Sequence, residues 1–295
     1  MIAREAGLGS LRAPRARRRS VRGVVIYGLA GLYTLIVILP VLYMILVSFQ
    51  STVVAGTQFI PTVWYWQTYV QIWQTIDLLS YIRNSLIICV AAGVCSSLLA
   101  LGSGYVVARF RFRFRNVFRI SLLATETVPG ILLLLPLYVI FVIIDHAIGL
   151  QLVGTYYGVV ITYMTFGLPF AIWLMNVYIV GLPVDLEEQA MVDGARRLGV
   201  LRYVTFPLAL PGLVVTFIFT FLLAWNDVLF ASVLTTQSTR TLGVGLQYYL
   251  SQNYSLPEWN QLMAASVISA IPAVILFLFV QRYIVTGLAA GSVKG

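Results

Sequence analysis

Four acidic residues crowd one short stretch of this sequence: Asp185, Glu187, Glu188 and Asp193, within Gly181–Gly199, followed by Arg196, Arg197 and Arg202. Acids at this density could ligate a cation, move a proton or seat against a basic partner. The rest of the chain narrows the choice. Metal chemistry needs several converging His, Cys or carboxylate ligands. The one His, His146, stands beside Asp145 in a short connection with no facing carboxylate cluster. A nucleotide phosphate loop needs Gly-x-x-x-x-Gly-Lys, and the one Lys is Lys294, a residue from the end. Gly102-Ser-Gly104 and Gly243-Val-Gly245 lack the third glycine of a dinucleotide loop and follow no strand. The sequence therefore predicts no catalytic residue, no metal ligand and no cofactor held by this chain.

Two further acids lie in apolar surroundings. Glu126 falls about seven residues past Arg119, roughly 10 Å along a helix. A carboxylate at that depth is costly and faces a cavity or a partner. It reads as a cavity-lining acid that touches cargo, or as the partner of an Arg or amide near a gate. Asp227 follows Trp225-Asn226 near the end of another apolar run. Tyr163, Thr165 and Asn176 are further polar candidates for a path, beside Asn226 and Asp227.

These residues must be positioned by elements that are mostly apolar. The chain has 295 residues, 60% hydrophobic and 10% charged, with mean hydropathy +0.92. Soluble domains carry about 25% charged residues. Charge-free gaps separate the charges, and a bilayer-crossing helix needs roughly 20 apolar residues. Six spans are expected: 23–49, 84–108, 117–144, 155–180, 208–234 and 262–284. Backbone facing lipid must be helical or a closed barrel, so the fold class is an all-α membrane protein. Pro40, Pro136, Pro169 and Pro272 inside the spans predict kinks or local unwinding. Ala100 and Gly104 give one span the small-residue spacing of close helix packing. Cys89 and Cys95, six residues apart on one span, cannot reach each other and read as small buried hydrophobes. The Arg-rich start resembles a signal peptide, but its apolar run is too long for one and reads as an uncleaved first span.

Arg and Lys mark the cytoplasmic side. With an even number of spans and both termini cytoplasmic, seventeen of the nineteen basic residues fall on that side, leaving Arg83 and Arg240 outside. The division expected is an Arg-rich N-tail over 1–22, a membrane domain over 23–285 containing the loop 181–211, and a cytoplasmic C-tail over 286–295. The outer segment 50–83 holds Trp64, Tyr65, Trp66, Tyr69 and Trp73. That pattern suits an aromatic belt at the interface, or flat rings for sugar stacking.

The loop 181–211 has helix-start signals in Pro183 and Asp185, acids in the first turn, and a stop at Gly199. Ala190 and Gly194, four apart, give one smooth face. Such a helix suits a groove in another protein; a solvated loop is the plainer alternative. Glu188-Gln-Ala190, Gly194 and Val204-Thr-Phe-Pro207 match the EAA signature of bacterial ATP-binding-cassette importer permeases, with Gln189 in place of the first Ala and Phe206 in place of the usual Leu. Asp193-Gly194-Ala195 narrows the resemblance to the carbohydrate-type, maltose-like permeases. Asn84-Ser85-Leu86, Trp225-Asn226-Asp227 and the ending Gly287–Gly295 are similar to that family too.

The resemblance, over about 23–295, implies a type I importer permease fold. It implies a coupling helix over 183–199 seated in a cytoplasmic ATPase dimer, with Asp185, Glu187, Glu188, Ala190, Asp193, Gly194, Ala195 and Pro207 in the contact. It implies tail contacts from Ser292 and Lys294, ATP and Mg held by the ATPase, a second permease, and an extracytoplasmic solute-binding protein facing 235–261. The implied cargo is a di- or oligosaccharide or a related polyol or glycerophosphate compound. Glu126 departs from the family's neutral residue. The main rival is a proton-coupled secondary transporter using Glu126, which predicts symmetric internal repeats that the sequence lacks. A non-transporting scaffold that recruits an ATPase is the other rival.

Overall fold

The computed structural model describes the backbone of residues 15–252 and 258–291 and the side chains of 23–251 and 258–281. The described residues form α1 (Arg15–Ser48), α2 (Thr68–Thr75), α3 (Leu78–Arg109), α4 (Arg115–Thr125), α5 (Gly130–Ile148) and α6 (Tyr156–Val180). They continue as α7 (Asp185–Val192), α8 (Arg197–Val200), a π-helical turn (Leu201–Thr205), α9 (Phe206–Asn226), α10 (Leu229–Leu234), α11 (Leu242–Gln252) and α12 (Trp259–Gly291). No strand occurs among the described residues. Among the described residues six segments are long and apolar enough to cross a bilayer: Gly23–Ser48, Leu78–Arg109, Gly130–Ile148, Tyr156–Val180, Arg197–Asn226 and Trp259–Gln281. The six-span expectation holds.

The spans divide into a core and a periphery. Half of the most apolar stretch of α3 is buried, against 6% in α1 and in α5. α3, α6 and α9 pack on one another because small residues let their backbones approach. A methyl group on Gly104 would lie 3.0 Å from Met175 Cγ and 3.1 Å from the Asn176 nitrogen. One on Gly93 would lie 2.7 Å from Phe217 Cδ2. Ala100 is fully buried between the same helices. The apolar sides that α1 and α5 leave uncovered must meet lipid or another chain, since a helix apolar all round is not a surface for water.

Several boundaries differ from the hydropathy reading. α3 starts at Leu78, six residues before the expected Asn84, because the Asp77 side chain accepts from the Ser80 N–H. The third span does not run unbroken from 117: it breaks at Glu126–Pro129 into α4 and α5. Two local features coincide at the break. Thr125 and Thr127 donate to the Leu122 and Ala124 carbonyls, which bends a helix, and Pro129 then brings no N–H. The four prolines expected to kink or unwind their spans do not unwind them; α1, α5, α6 and α12 run on through Pro40, Pro136, Pro169 and Pro272, as α9 does through Pro211. The fifth span ends at Asn226 and restarts as α10, rather than reaching Leu234 in one piece. Cys89 is buried as expected, but Cys95 is exposed on the outer side of α3.

Candidate functional site

The arginine-rich end of the bundle carries the loop between α6 and α9. α7 begins just after Pro183, with Asp185, Glu187 and Glu188 in its first turn, where carboxylates meet the positive end of the helix dipole. It ends at Val192, earlier than the stop expected at Gly199. The Gly194 N–H donates to the Met191 carbonyl at 3.1 Å and the Ala195 N–H to the Ala190 carbonyl at 2.9 Å. This is a Schellman closure. It places Gly194 at φ +90°, a conformation costly for a side chain. Gly199 instead lies inside α8. The expected single helix over 183–199 is therefore two short helices around a glycine corner.

Adjacent glutamates in α7 face opposite ways. Asp185, Glu188, Gln189, Val192 and Asp193 line one open cleft on the outside. Val192 is 87% exposed, with Leu198 and Tyr203 bare nearby. Ala190 and Ala195 are half-buried, and Gly194 and Pro207 are exposed. Glu187, expected on the contact surface, is instead 3% exposed. Its Oε1 accepts from Arg109 Nε at 3.0 Å and from Thr205 Oγ1 at 3.2 Å. Its Oε2 accepts from Tyr105 at 3.5 Å. Arg109 Nη2 donates to the Leu182 carbonyl at 3.1 Å. A lone buried carboxylate is untenable, so Glu187 turns inward to the one cation at the end of α3. Arg109, Tyr105 and Thr205 were not singled out from the sequence. Their signal was Tyr105 and Arg109 four apart at the last turn of an apolar span.

Between α4, α5, α6, α9 and α10 lies a cavity of about 500 Å³. Glu126, Tyr163, Thr165, Asn226 and Asp227 all line it, with Phe166 and Phe230. The sequence candidates thus converge, with one exception. Asn176 is 1% exposed, further along α6 between the core helices, and belongs to packing rather than to this cavity. Glu126 sits not within a helix but at the break after α4, exposed to the cavity. Asp227 is held by three donors: Tyr163 Oη at 2.9 Å and the Phe230 and Ala231 N–H groups at 3.1 Å. Those bonds start α10 and fix the corner after α9. Among the described residues no group of three His, Cys, Asp or Glu could hold a metal ion.

The opposite, aromatic end is organised by Asn84 and Ser85. Asn84 Nδ2 donates to the Ser238 and Arg240 carbonyls, each at 3.0 Å, and its Oδ1 accepts from Tyr156 at 2.7 Å. Ser85 Oγ accepts from the Leu242 N–H at 2.7 Å. The motif pins segment 236–242 to α3 and α6. Arg240 stacks 4.0 Å over Tyr248, and Tyr249 donates to Glu258 at 3.4 Å. Burial and the Glu258 carboxylate push Tyr249 up to about 12. Phe49 gathers the rings of Trp64, Trp66 and Tyr69. Ser292 and Lys294 lie outside the described residues.

Comparison with known proteins adds identity to this geometry. The family model described as "Binding-protein-dependent transport system inner membrane component" matches residues 97–289. The inner membrane ABC transporter permease protein YcjP of Escherichia coli is 34% identical, over 94% of this chain and 99% of that one. The trehalose/maltose transport system permease protein MalG of Thermococcus litoralis is 34% identical, over 90% and 95%. Among solved structures, a bacterial ABC transporter involved in the import of the acidic polysaccharide alginate matches with a TM-score of 0.74 and 24% identity, over 92% of this chain and 99% of that one.

Proposed function

The chain belongs to the family of binding-protein-dependent transport system inner membrane components, and we propose that it is one of two permeases that form a sugar path driven by a separate ATPase. It is a multi-pass inner-membrane transport component and not an enzyme. The cargo reading, a di- or oligosaccharide or a related polyol or glycerophosphate compound, takes its support from relatives named for trehalose, maltose and diacetylchitobiose transport. The cavity supports it too. Its volume falls in the roughly 300–1,000 Å³ range of small-ligand sites, and it mixes Phe166 and Phe230 rings with Thr165, Asn226 and Glu126.

Arg distribution supports both termini in the cytoplasm, with 1–22 and 286–295 as tails around the membrane domain 23–285. In that orientation α7 faces the cytoplasm, and segment 235–261 faces an extracytoplasmic solute-binding protein. The ATPase pair would hold ATP and Mg; tail residues Ser292 and Lys294 would reach toward it. ATP must favour one arrangement of the ATPase pair over the other to shift any population. Closing that pair draws the docking helices together and turns the cavity outward to take solute from the binding protein. Hydrolysis resets it.

The observation that carries docking is the α7 surface. Asp185 and Glu188 flank a bare Val192, the pairing of charge and exposed apolar surface that a partner groove covers. The experiment is co-purification of the tagged chain from its own membranes, with stoichiometric partners identified by mass spectrometry. The ATPase should accompany the native chain and be lost from Glu188→Arg. An ATPase that stays with Glu188→Arg, or never appears, contradicts docking and returns weight to proton-coupled transport through Glu126.

A further inference from the structure

The Arg109–Glu187 pair belongs neither to the exposed docking surface nor to the cavity. It is the one ion pair among the described residues, with side chains 8% and 4% exposed. Replacing a buried pair of this kind by well-packed apolar residues is often neutral or stabilising, so stability alone is a weak reason for it. What the pair adds is direction. Charge-assisted bonds near 3 Å tolerate little displacement. Arg109 is the last residue of α3, and its guanidinium holds both the Glu187 side chain and the Leu182 carbonyl that precedes α7. Thr205 ties the same carboxylate to the π-helical turn.

The far end of α3 carries a second clamp, Asn84 and Ser85 on segment 236–242. Between the clamps the helix is unbroken. Its 32 residues make a rod of roughly 48 Å, long enough to cross the bilayer.

We propose that Arg109 and Glu187 are positioning residues that lock α7 to α3, so that displacement of α7 moves the whole rod and, through Asn84 and Ser85, the segment at the opposite end. The proposal rests on the reading of α7 as the docking helix. It assigns to Glu187 a role behind the contact surface and to Glu188 a role on it.

The test uses the intact complex of this chain with its ATPase, second permease and binding protein, in lipid nanodiscs. Gln237, exposed at the far end, is replaced by Cys and given an environment-sensitive fluorophore, with Cys95→Ala removing the exposed native thiol. The probe is a non-hydrolysable ATP analogue with Mg. The native pair should give a clear fluorescence change. Glu187→Gln should reduce it at least fivefold while the ATPase stays bound. The apolar double variant Arg109→Met/Glu187→Met, which preserves packing, should behave likewise. Arg109→Lys keeps the charge but loses the fork to the Leu182 carbonyl, and should be intermediate.

A full response from the apolar double variant would overturn the proposal, because packing alone would then suffice. Loss of the ATPase from that variant would overturn it too, because the pair would be part of the docking surface. Failure of docking itself reads differently: the native complex would give no response, and Glu188→Arg would keep the ATPase.

Discussion

At its arginine-rich end α3 is tied to α7 by charge, Arg109 to Glu187; at its aromatic end it is tied by neutral groups, Asn84 to two carbonyls and Ser85 to an N–H. Both clamps are buried and both join segments far apart in sequence. They differ in what failure costs. Removing one half of an ion pair strands a charge, whereas removing an amide strands dipoles. The charged clamp is thus the costlier one to cut, and the neutral clamp can loosen one bond at a time. On the proposed reading, the charged clamp stands at the end that would meet the ATPase and the neutral clamp at the end that would face the solute-binding protein.

Mutations can break or sharpen this contrast. Cys89, 1% exposed, becomes reactive to a thiol dye only on unfolding, so it reports stability in a Cys95→Ala background. Glu187→Ala should cost the most, about 3–5 kcal/mol, because the Arg109 charge stays buried without its counter-ion. Asn84→Ala should cost less, about 2 kcal/mol, since Tyr156 and two carbonyls lose neutral partners. If Asn84→Ala proved as damaging as Glu187→Ala, the distinction between the clamps would fail. Gly194→Ala should be the mildest, about 1–2 kcal/mol, the strain of a side chain at positive φ. Its effect should fall on ATPase retention, with the far-end response intact in those complexes that keep the ATPase, because it reshapes α7 without touching the pair.

Much of the fold was legible because lipid imposes a simple rule. Long charge-free runs must be helices, and six such runs gave six spans. The interruptions were less legible. Pro40, Pro136, Pro169, Pro211 and Pro272 sit inside unbroken helices, while the third span breaks at Pro129, where Thr125 and Thr127 donate to backbone carbonyls. Neither proline nor a preceding hydroxyl carries that signal: Ser266 and Ser269 donate to backbone carbonyls just before Pro272, and α12 runs on. In the candidate site, Glu126, Tyr163, Asn226 and Asp227 were picked as polar residues in apolar sequence, and they converge on one cavity. Asn176 met the same criterion and lies elsewhere, because polarity marks a residue without saying which face of a helix it occupies. Glu187 and Glu188 show the limit most sharply. They are neighbours of the same type in the same turn, and α7 is only eight residues long. Its rotation is set by Arg109, 78 positions earlier, which no local pattern encodes.

The central claim is that the exposed face of α7 seats in an ATPase while Glu187 holds the helix from behind. The most direct measurement is site-specific cross-linking in native membranes from Val192→Cys, with a short thiol-to-amine reagent and Cys95→Ala to silence the background. The account predicts a single cross-linked product containing the ATPase, abolished by adding Glu188→Arg. A Val192→Cys chain that cross-links only to lipid-embedded proteins, or to nothing, would contradict it.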